Sequence, residues 1–466
     1  QIMFPQYSEE FDYSLKKFES MLKTNDTLFF DTDEFEQIIS YYIDEGKFNL
    51  AKKALRVALE QHPDAFSIMM MKAEILVIDD ENESAMALLN DLDKLEPQSE
   101  EIMLMRANLF SKLNKHSDSI QILKELLDFC SDPTEVYSLL GVEYLLVDDY
   151  ENANECYKKC VEIDPHDYTA LYNVVFCYDF MDQQNEAVDY LLGFIDKEPY
   201  SEIAWHQLGN IYKDLGKEDK ALEAYEYALI ADEYFVGAYL EKAKLLESKK
   251  KYKEAIDNYK ITIQLDDPTA FANHRIGKCF EALGNVTNAS QWYKKALYED
   301  PMFDKAWMSL TQIYMKKGNL QKALHFINKA ISLNDENTTY WESYALINRK
   351  LGNDYDAEYG MQQSKVLLDH QADYLLADID EVIFAEDYEE ALLMLNDAYE
   401  FFESSSEIHY RLAGVYFMTG ETEKCVYHLH QAYQINPEKV EVFETLFPVI
   451  FSPVNFKKLM EVFDKM

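Results

Sequence analysis

"EIAWHQLGNIYKDLGKEDKALEAYEYALIADEYF", Glu202 to Phe235, contains one full cycle of the pattern that decides the fold. Trp205, Leu208 and Tyr212 recur at spacings of three and four, which places them on one face of a helix. Gly216 interrupts that helix, and a second helical run follows with Ala221, Tyr225 and Ala228 on its inner face. Stepping outward by 34 residues in either direction returns the same pattern, without insertion or deletion, from Thr32 to Lys439. Units begin at residues 32, 66, 100, 134, 168, 202, 236, 270, 304, 338, 372 and 406, giving twelve repeats.

Size constraints recur with the period. Repeat position 20 is always small: Ala51, Ala85, Ser119, Ala153, Ala187, Ala221, Ala255, Ala289, Ala323, Ala357, Ala391 and Cys425. Position 8 is usually small as well, as in Ala73, Ala107, Gly141, Gly209, Ala243, Gly277, Ala345 and Ala413. Two helices that approach closely at these points require this, since overfilling a packed site costs about 1–3 kcal/mol. The facing positions are large. Position 11 is aromatic in Tyr42, Phe110, Tyr144, Tyr178, Tyr212, Phe280, Tyr314 and Tyr416, and position 24 is bulky from Leu55 to Leu429. Gly46, Gly216, Gly284, Gly318, Gly352 and Gly420 fall at position 15, where a helix ends in a positive φ. Pro63, Pro97, Pro165, Pro199, Pro301 and Pro437 fall at position 32, where the second helix must stop. Each unit therefore reads as helix, tight turn, helix, stop.

With Trp205, Leu208, Gly209, Tyr212, Ala221, Tyr225 and Ala228 at repeat positions 4, 7, 8, 11, 20, 24 and 27, the chain resembles the tetratricopeptide repeat family, in the manner of bacterial repeat-only members. The resemblance implies an all-α fold, a right-handed solenoid of antiparallel helix pairs. Departures are few: Ser131, Glu233, Asp267, Asp335, Asp369 and Glu403 replace the terminal proline, and Asn348 replaces the position 11 aromatic. Residues 1–31 supply an N-terminal cap, in which SEEFDYSLKKFESMLK (8–23) predicts an amphipathic helix with Phe11, Leu15, Phe18 and Leu22 on one face. Repeats fill 32–439, and 440–466 read as a degenerate unit of two short helices divided near Ser452-Pro453.

Composition excludes several function classes. Apolar residues make up 48% of the 466, enough for a core, while 13 glycines and 11 prolines are too few for a chain of many short strands. With 86 acidic against 44 basic side chains the net charge is −42, which repels phosphate backbones and anionic lipid; no nucleic acid and no membrane insertion are expected. Six cysteines make no paired zinc motif, and Cys156 and Cys160, one turn apart, read as small core residues. Outside the repeats there is no room for a catalytic domain, and no phosphate-loop, nucleophile-elbow, zinc-protease or dinucleotide motif occurs. Asp79-Asp80, Asp148-Asp149 and Asp266-Asp267 read as solvated turn carboxylates. No catalytic residue, metal or cofactor is expected. The chain opens on Gln, so two locations stand: the cytoplasm, or an exported, periplasmic one if an upstream signal has been removed.

The resemblance also implies an inner surface lined by first-helix positions 2, 5, 6, 9, 12 and 13, on which protein partners lie. In repeats 2 to 5 these positions hold Met70, Met71, Leu104, Met105, Leu139, Val142, Leu146, Tyr172, Phe176 and Phe180, an apolar tier that is either exposed for a partner or buried by curling of the repeats or by the N-terminal segment. In repeats 6 to 9 they hold His206, Asn210, Lys244, His274, Arg275, Lys278, Lys305 and Lys316, a basic strip that Glu241, Glu247 and Glu281 neutralise if they pair locally. The family's two-carboxylate clamp is not reproduced: Asn210 and Arg275 fit it, but His206, Glu241 and Phe271 do not, and Asn173 alone matches the asparagine ladder of other relatives. The expectation is a non-catalytic scaffold, monomeric or a weak homo-oligomer, binding a protein or peptide along this face. An exported cell-envelope assembly factor and an accessory for a small anionic ligand are the alternatives.

Overall fold

A computed structural model describes residues 9–24, 28–265, 269–402 and 405–448. Within them are 25 α-helices, one 3-10 turn and no strand. The chain divides into two compact units, one up to Leu245 and one from Leu246.

The first unit opens with α1 (Glu9–Thr24). Helix pairs follow: α2 (Thr32–Asp44) with α3 (Phe48–Gln61), α4 (Phe66–Ile78) with α5 (Asn82–Leu95), and α6 (Glu100–Lys112) with α7 (His116–Leu126). Next come α8 (Pro133–Leu146) with α9 (Tyr150–Ile163), α10 (Tyr168–Phe180) with α11 (Gln184–Ile195), and α12 (Glu202–Asp214) with α13 (Glu218–Ala231). Helix α14 (Val236–Ser248) runs into the second unit, which continues with α15 (Tyr252–Leu265). Then follow α16 (Ala270–Ala282) with α17 (Val286–Glu299), α18 (Asp304–Lys316) with α19 (Leu320–Leu333), and α20 (Thr338–Leu351) with the long α21 (Asp354–Phe384). Helices α22 (Tyr388–Phe401), α23 (Ser406–Met418), α24 (Thr422–Ile435) and α25 (Val440–Leu446) complete it.

The close approach anticipated at position 8 has a specific cause. A Cβ on Gly209 would stand 2.5 Å from the ring of Tyr225, and one on Gly141 2.6 Å from the ring of Tyr157. Gly277 has the same relation to Tyr293. Rings at position 24 thus lie flat on first-helix backbone, and Tyr225, Tyr259 and Tyr293 are fully buried. Successive pairs are also tied through their turns. The Trp205 indole N–H donates to the carbonyl of Pro199 (3.0 Å), Trp307 to that of Pro301 (2.9 Å) and Trp341 to that of Asp335 (2.7 Å). Because the acceptor is a backbone carbonyl, Asp335 serves as well as proline there.

Left-handed backbone recurs at every position 15. The six glycines have φ between 68° and 85°, and Asp80, Asn114, Asp148, Asp182, Lys250 and Glu386 take φ of 56–61° in the same place. Among L-residues Asp and Asn tolerate this conformation best, whereas Lys and Glu bear strain.

One expected break is missing. The turn anticipated between the tenth and eleventh repeats does not form, and α21 runs 31 residues without interruption. From Asp354 to Phe384 the sequence has no proline and only Gly360, so nothing stops the helix where Asp369 replaces the usual proline.

At the N-terminus Phe11 and Phe18 are buried, and Phe18 packs on Phe30, Phe35 and Tyr42. Met21 is buried where Leu22 was expected, Leu22 being 36% exposed. At the other end Phe443, Leu446 and Phe447 cover α23. The further helix expected beyond Ser452-Pro453 lies outside the described residues, as do Asp266-Asp267 and Glu403.

Replacing Lys250 or Glu386 by glycine should stabilise the chain by about 0.5–1 kcal/mol, because relief of left-handed strain outweighs the added unfolded-state freedom. Gly209→Ala should destabilise it by about 1–3 kcal/mol by displacing the Tyr225 ring. Urea-unfolding midpoints read both.

Candidate functional site

First helices carry the candidate residues because their second faces are consumed by packing against their pair partners. In the first unit a cavity of about 630 Å³ opens on α2, α4, α6, α7 and α8. Met70, Met71, Leu104, Met105, Leu139 and Val142 supply its apolar lining. Met70 is buried, Met71, Leu104 and Met105 are half-buried, and Leu139, Val142 and Leu146 are exposed. Helix α1 packs on α2 and α3, and among its described side chains none lines the cavity; residues 1–8 lie outside the described residues. On α10 the stripe continues with Tyr172, Phe176 and Phe180, exposed by 41%, 44% and 57%. The Phe176 and Phe180 rings are 4.6 Å apart, and Tyr150 stacks on Phe180 at 4.9 Å. A smaller cavity of about 240 Å³ lies between α10 and α12, lined by Tyr172, Phe176, Gln207 and Asn210 with Asp179 and Asp214.

Carboxylates that the sequence reading passed over share this surface. Glu36, Glu74, Glu101, Glu135 and Glu143 line the larger cavity, and among the described residues no lysine, arginine or histidine does. Glu143 is buried and paired with His116 Nδ1 at 2.9 Å. Glu74 is half-buried with no hydrogen bond or cation beside it among the described residues; burial, and then the charge of Asp44, push its carboxyl up. The signal was present in the letters, since Glu36, Glu74, Glu101 and Glu135 occupy positions 5, 9, 2 and 2 of their repeats.

The basic strip is dispersed into pairs. In the first unit Glu241 receives Lys213 at 2.9 Å and Lys244 at 2.7 Å. Burial alone would raise the Glu241 carboxyl, but these two hydrogen bonds outweigh it and hold the pKa down. In the second unit Arg275 forks onto Glu247 through Nε (2.9 Å) and a terminal nitrogen (2.8 Å), while the Tyr259 hydroxyl donates to the same carboxylate (3.0 Å). Glu281 repeats the arrangement with Lys316 (2.8 Å) and the Tyr293 hydroxyl (2.8 Å). Lys278 adds its charge to those holding Glu281 low, and Lys305 is exposed.

The histidines carry no charge to such a strip. Both ring nitrogens of His206 are buried without a hydrogen-bond partner, and the ring meets Phe235 edge-on at 5.2 Å. Burial lowers its pKa, with Lys213 and Lys244 acting in the same sense against Glu241. His274 is 6% exposed, lies between Tyr293 and Phe303, and bonds Ser309 Oγ at 3.0 Å. Burial, then Lys278, Arg275 and Lys305, bring it down to about 4. Asn210 accepts the Tyr225 hydroxyl at 2.8 Å. All three were expected to face a partner; Asn210 is held by Tyr225 of its own pair and also lines the smaller cavity, His274 is held by Ser309 on α18, and His206 is packed among Tyr225 and Phe235.

Other chemistry-bearing groups are structural in the same sense. Cys156 and Cys160 are buried, and burial pushes their thiols up to about 12 and about 11. Asp79 and Asp80 bind Lys52 and Lys112 at 2.7 Å each, and Asp149 caps α9 through the Asn152 amide. Among the described residues no group of three His, Cys, Asp or Glu could hold a metal ion, and no helix is long and apolar enough to cross a membrane.

Comparison with known proteins fits this geometry. Residues 37–100, 203–233, 272–301 and 304–337 match tetratricopeptide repeat families, and 83–203 match the second ARM domain of tetratricopeptide repeat protein 21. The chain belongs to the tetratricopeptide repeat family. As such a protein it is 25% identical over 179 residues to the tetratricopeptide repeat-containing protein trd-1 of Caenorhabditis elegans, covering 38% of this chain and 22% of that one. It is 22% identical over 323 residues to BBSome complex member BBS4 of Bos taurus (68% and 60% covered). To anaphase-promoting complex subunit CDC16 of Saccharomyces cerevisiae it is 20% identical over 421 residues (85% and 44% covered). It therefore spans less than two thirds of each of these relatives. Among solved structures, YrrB, described as a repeat protein with an unusual peptide-binding site, aligns with TM-score 0.34 and 16% identity over 39% of this chain and 93% of that one. The Cut9–Hcn1 hetero-tetramer aligns with TM-score 0.33 and 14% identity over 94% and 93%.

The low pKa of His274 makes a signed prediction. The fold binds fewer protons at this ring than the unfolded chain does, so stability is fully present above pH 6.5 and falls as pH drops towards 4. The loss amounts to about 3 kcal/mol for a 2.5-unit shift. His274→Gln should flatten the decline in urea midpoint between pH 6.5 and 4, while His325→Gln, at an exposed site, should leave the slope unchanged.

Proposed function

We propose that this chain is a non-catalytic scaffold that binds a partner protein through the apolar first-helix face of its first unit, residues 67–180. One observation carries the reading: Leu139, Val142, Leu146, Tyr172, Phe176 and Phe180 are exposed in two stripes beside an open cavity. A contiguous apolar surface of this kind marks an interaction site. Two relatives, BBSome complex member BBS4 and anaphase-promoting complex subunit CDC16, are members of multiprotein assemblies, which supports the same role here. The cations do not recommend themselves as a primary anchor, because Lys213, Lys244, Arg275 and Lys316 already neutralise Glu241, Glu247 and Glu281. A small anionic ligand would have to displace those carboxylates.

The test is quantitative affinity purification of the tagged chain from its native cell. Val142→Ser with Phe176→Ser should lose the specific partner at least about tenfold, about 1.4 kcal/mol, without change in helical content. Arg275→Ala with Lys278→Ala should retain it. Retention by the first pair together with loss by the second would reverse the assignment.

A further inference from the structure

We infer that the partner segment received by the cavity on α2 to α8 is cationic and amphipathic, with apolar side chains seated between Leu104 and Val142 and lysines or arginines reaching Glu74, Glu101 and Glu135. This rests on the reading of that face as a binding surface and names the chemistry of what it takes.

Charge complementarity selects this occupant. The larger cavity combines its apolar lining with five carboxylates, and among the described residues no cationic side chain stands in its wall. The neighbouring cavity repeats the combination, with Tyr172 and Phe176 beside Asp179 and Asp214 and again no cation among the described residues. Two arginine and lysine side chains of these helices are directed elsewhere: Arg106 reaches Asn90 and Asp93 on α5, and Lys112 reaches Asp80 at the turn after α4, while His116 is taken up by Glu143. Glu74 is the most telling member, a half-buried carboxylate on the cavity wall whose pKa is pushed up by burial and then by Asp44, a charge of its own sign. A buried charge without a counter-charge is costly, and an incoming ammonium or guanidinium relieves it.

Other occupants fit less well. An acidic segment would place like charges against Glu74, Glu101 and Glu135. A second copy of this chain would bring together two molecules of net charge −42. A purely apolar segment would leave the carboxylates desolvated and unpaired. Long basic side chains suit the geometry because their methylene stems lie on apolar surface while their heads reach the rim.

Fluorescence anisotropy of the full chain with three labelled peptides decides it: an amphipathic leucine and lysine helix, the same pattern with glutamate for lysine, and a scrambled leucine and lysine peptide. The amphipathic lysine peptide should bind best. Glu74→Gln, Glu101→Gln and Glu135→Gln together should weaken it at least about tenfold and flatten its salt dependence, as expected when close charge pairs are removed. Neutralising three exposed carboxylates on second helices, Glu83→Gln, Glu151→Gln and Glu186→Gln, should change it less than about twofold. Equal binding of the glutamate peptide, equal loss in both triple variants, or equal binding of the scrambled peptide would overturn the inference. The binding face itself is judged separately: if Val142→Ser with Phe176→Ser still costs the native partner while no lysine peptide binds, the cationic occupant is wrong and the face stands. If that pair leaves the native partner unaffected, the face is wrong.

Discussion

A tyrosine ring lying flat on bare helix backbone is the constraint from which the rest of this molecule follows. With Tyr225 over Gly209, Tyr157 over Gly141 and Tyr293 over Gly277, the two helices of a pair sit so close that a single methyl group would not fit between them. Close packing of this kind gains dispersion contacts over the whole ring and fixes the rotation of one helix about its axis relative to the other. Once that rotation is fixed, so is the set of residues that remains on the outward side of the first helix.

Tyrosines at the same repeat position couple the core to that outward side. The hydroxyls of Tyr225, Tyr259 and Tyr293 emerge at Asn210, Glu247 and Glu281, and the latter two hold Arg275 and Lys316 in turn. A buried phenol needs an acceptor, and a carboxylate that serves one is half desolvated and needs a cation. Polar residues that look like recognition elements in the sequence are thereby bound into the fold, and Tyr259 with Glu247 and Arg275 forms one structural network. Further toward the N-terminus the arrangement lapses. Position 24 is Leu55, Leu89 and Leu123 in the first three pairs, so no hydroxyl reaches the outward side there, and the carboxylates of that surface are left without such a network.

The helices, their pairing and the left-handed turns were legible because each depends on residues within one 34-residue period. Even Asp80, Asn114 and Asp148, which lack the glycine signal, follow from register alone. Long α21 was half legible: Asp369 was noted as a missing proline, but a missing stop weighs little by itself, and the helix-compatible residues on both sides decided the outcome. The candidate site was read less well, for two physical reasons. Charge pairing depends on which neighbours meet, so Arg275 and Lys316 looked available until Glu247 and Glu281 were seen beside them. Burial also overrides residue type: His274 counts as basic in a list of letters and is neutral between Tyr293 and Phe303. Glu74 and Glu101 were missed because, in a chain so rich in acid, carboxylates looked like background.

The uninterrupted α21 alters how the C-terminal part of the chain can come apart. Where pairs are joined by turns, each can fray or detach with only its neighbours' contacts at stake, so opening proceeds in small steps. A helix that packs on α20 along its first half and on α22 along its second belongs to two pairs at once. Neither can leave without bending or melting the shared rod. Residues 338–401 are therefore welded into one cooperative block, and a pull or a protease arriving from the C-terminal side meets a step there instead of a slope.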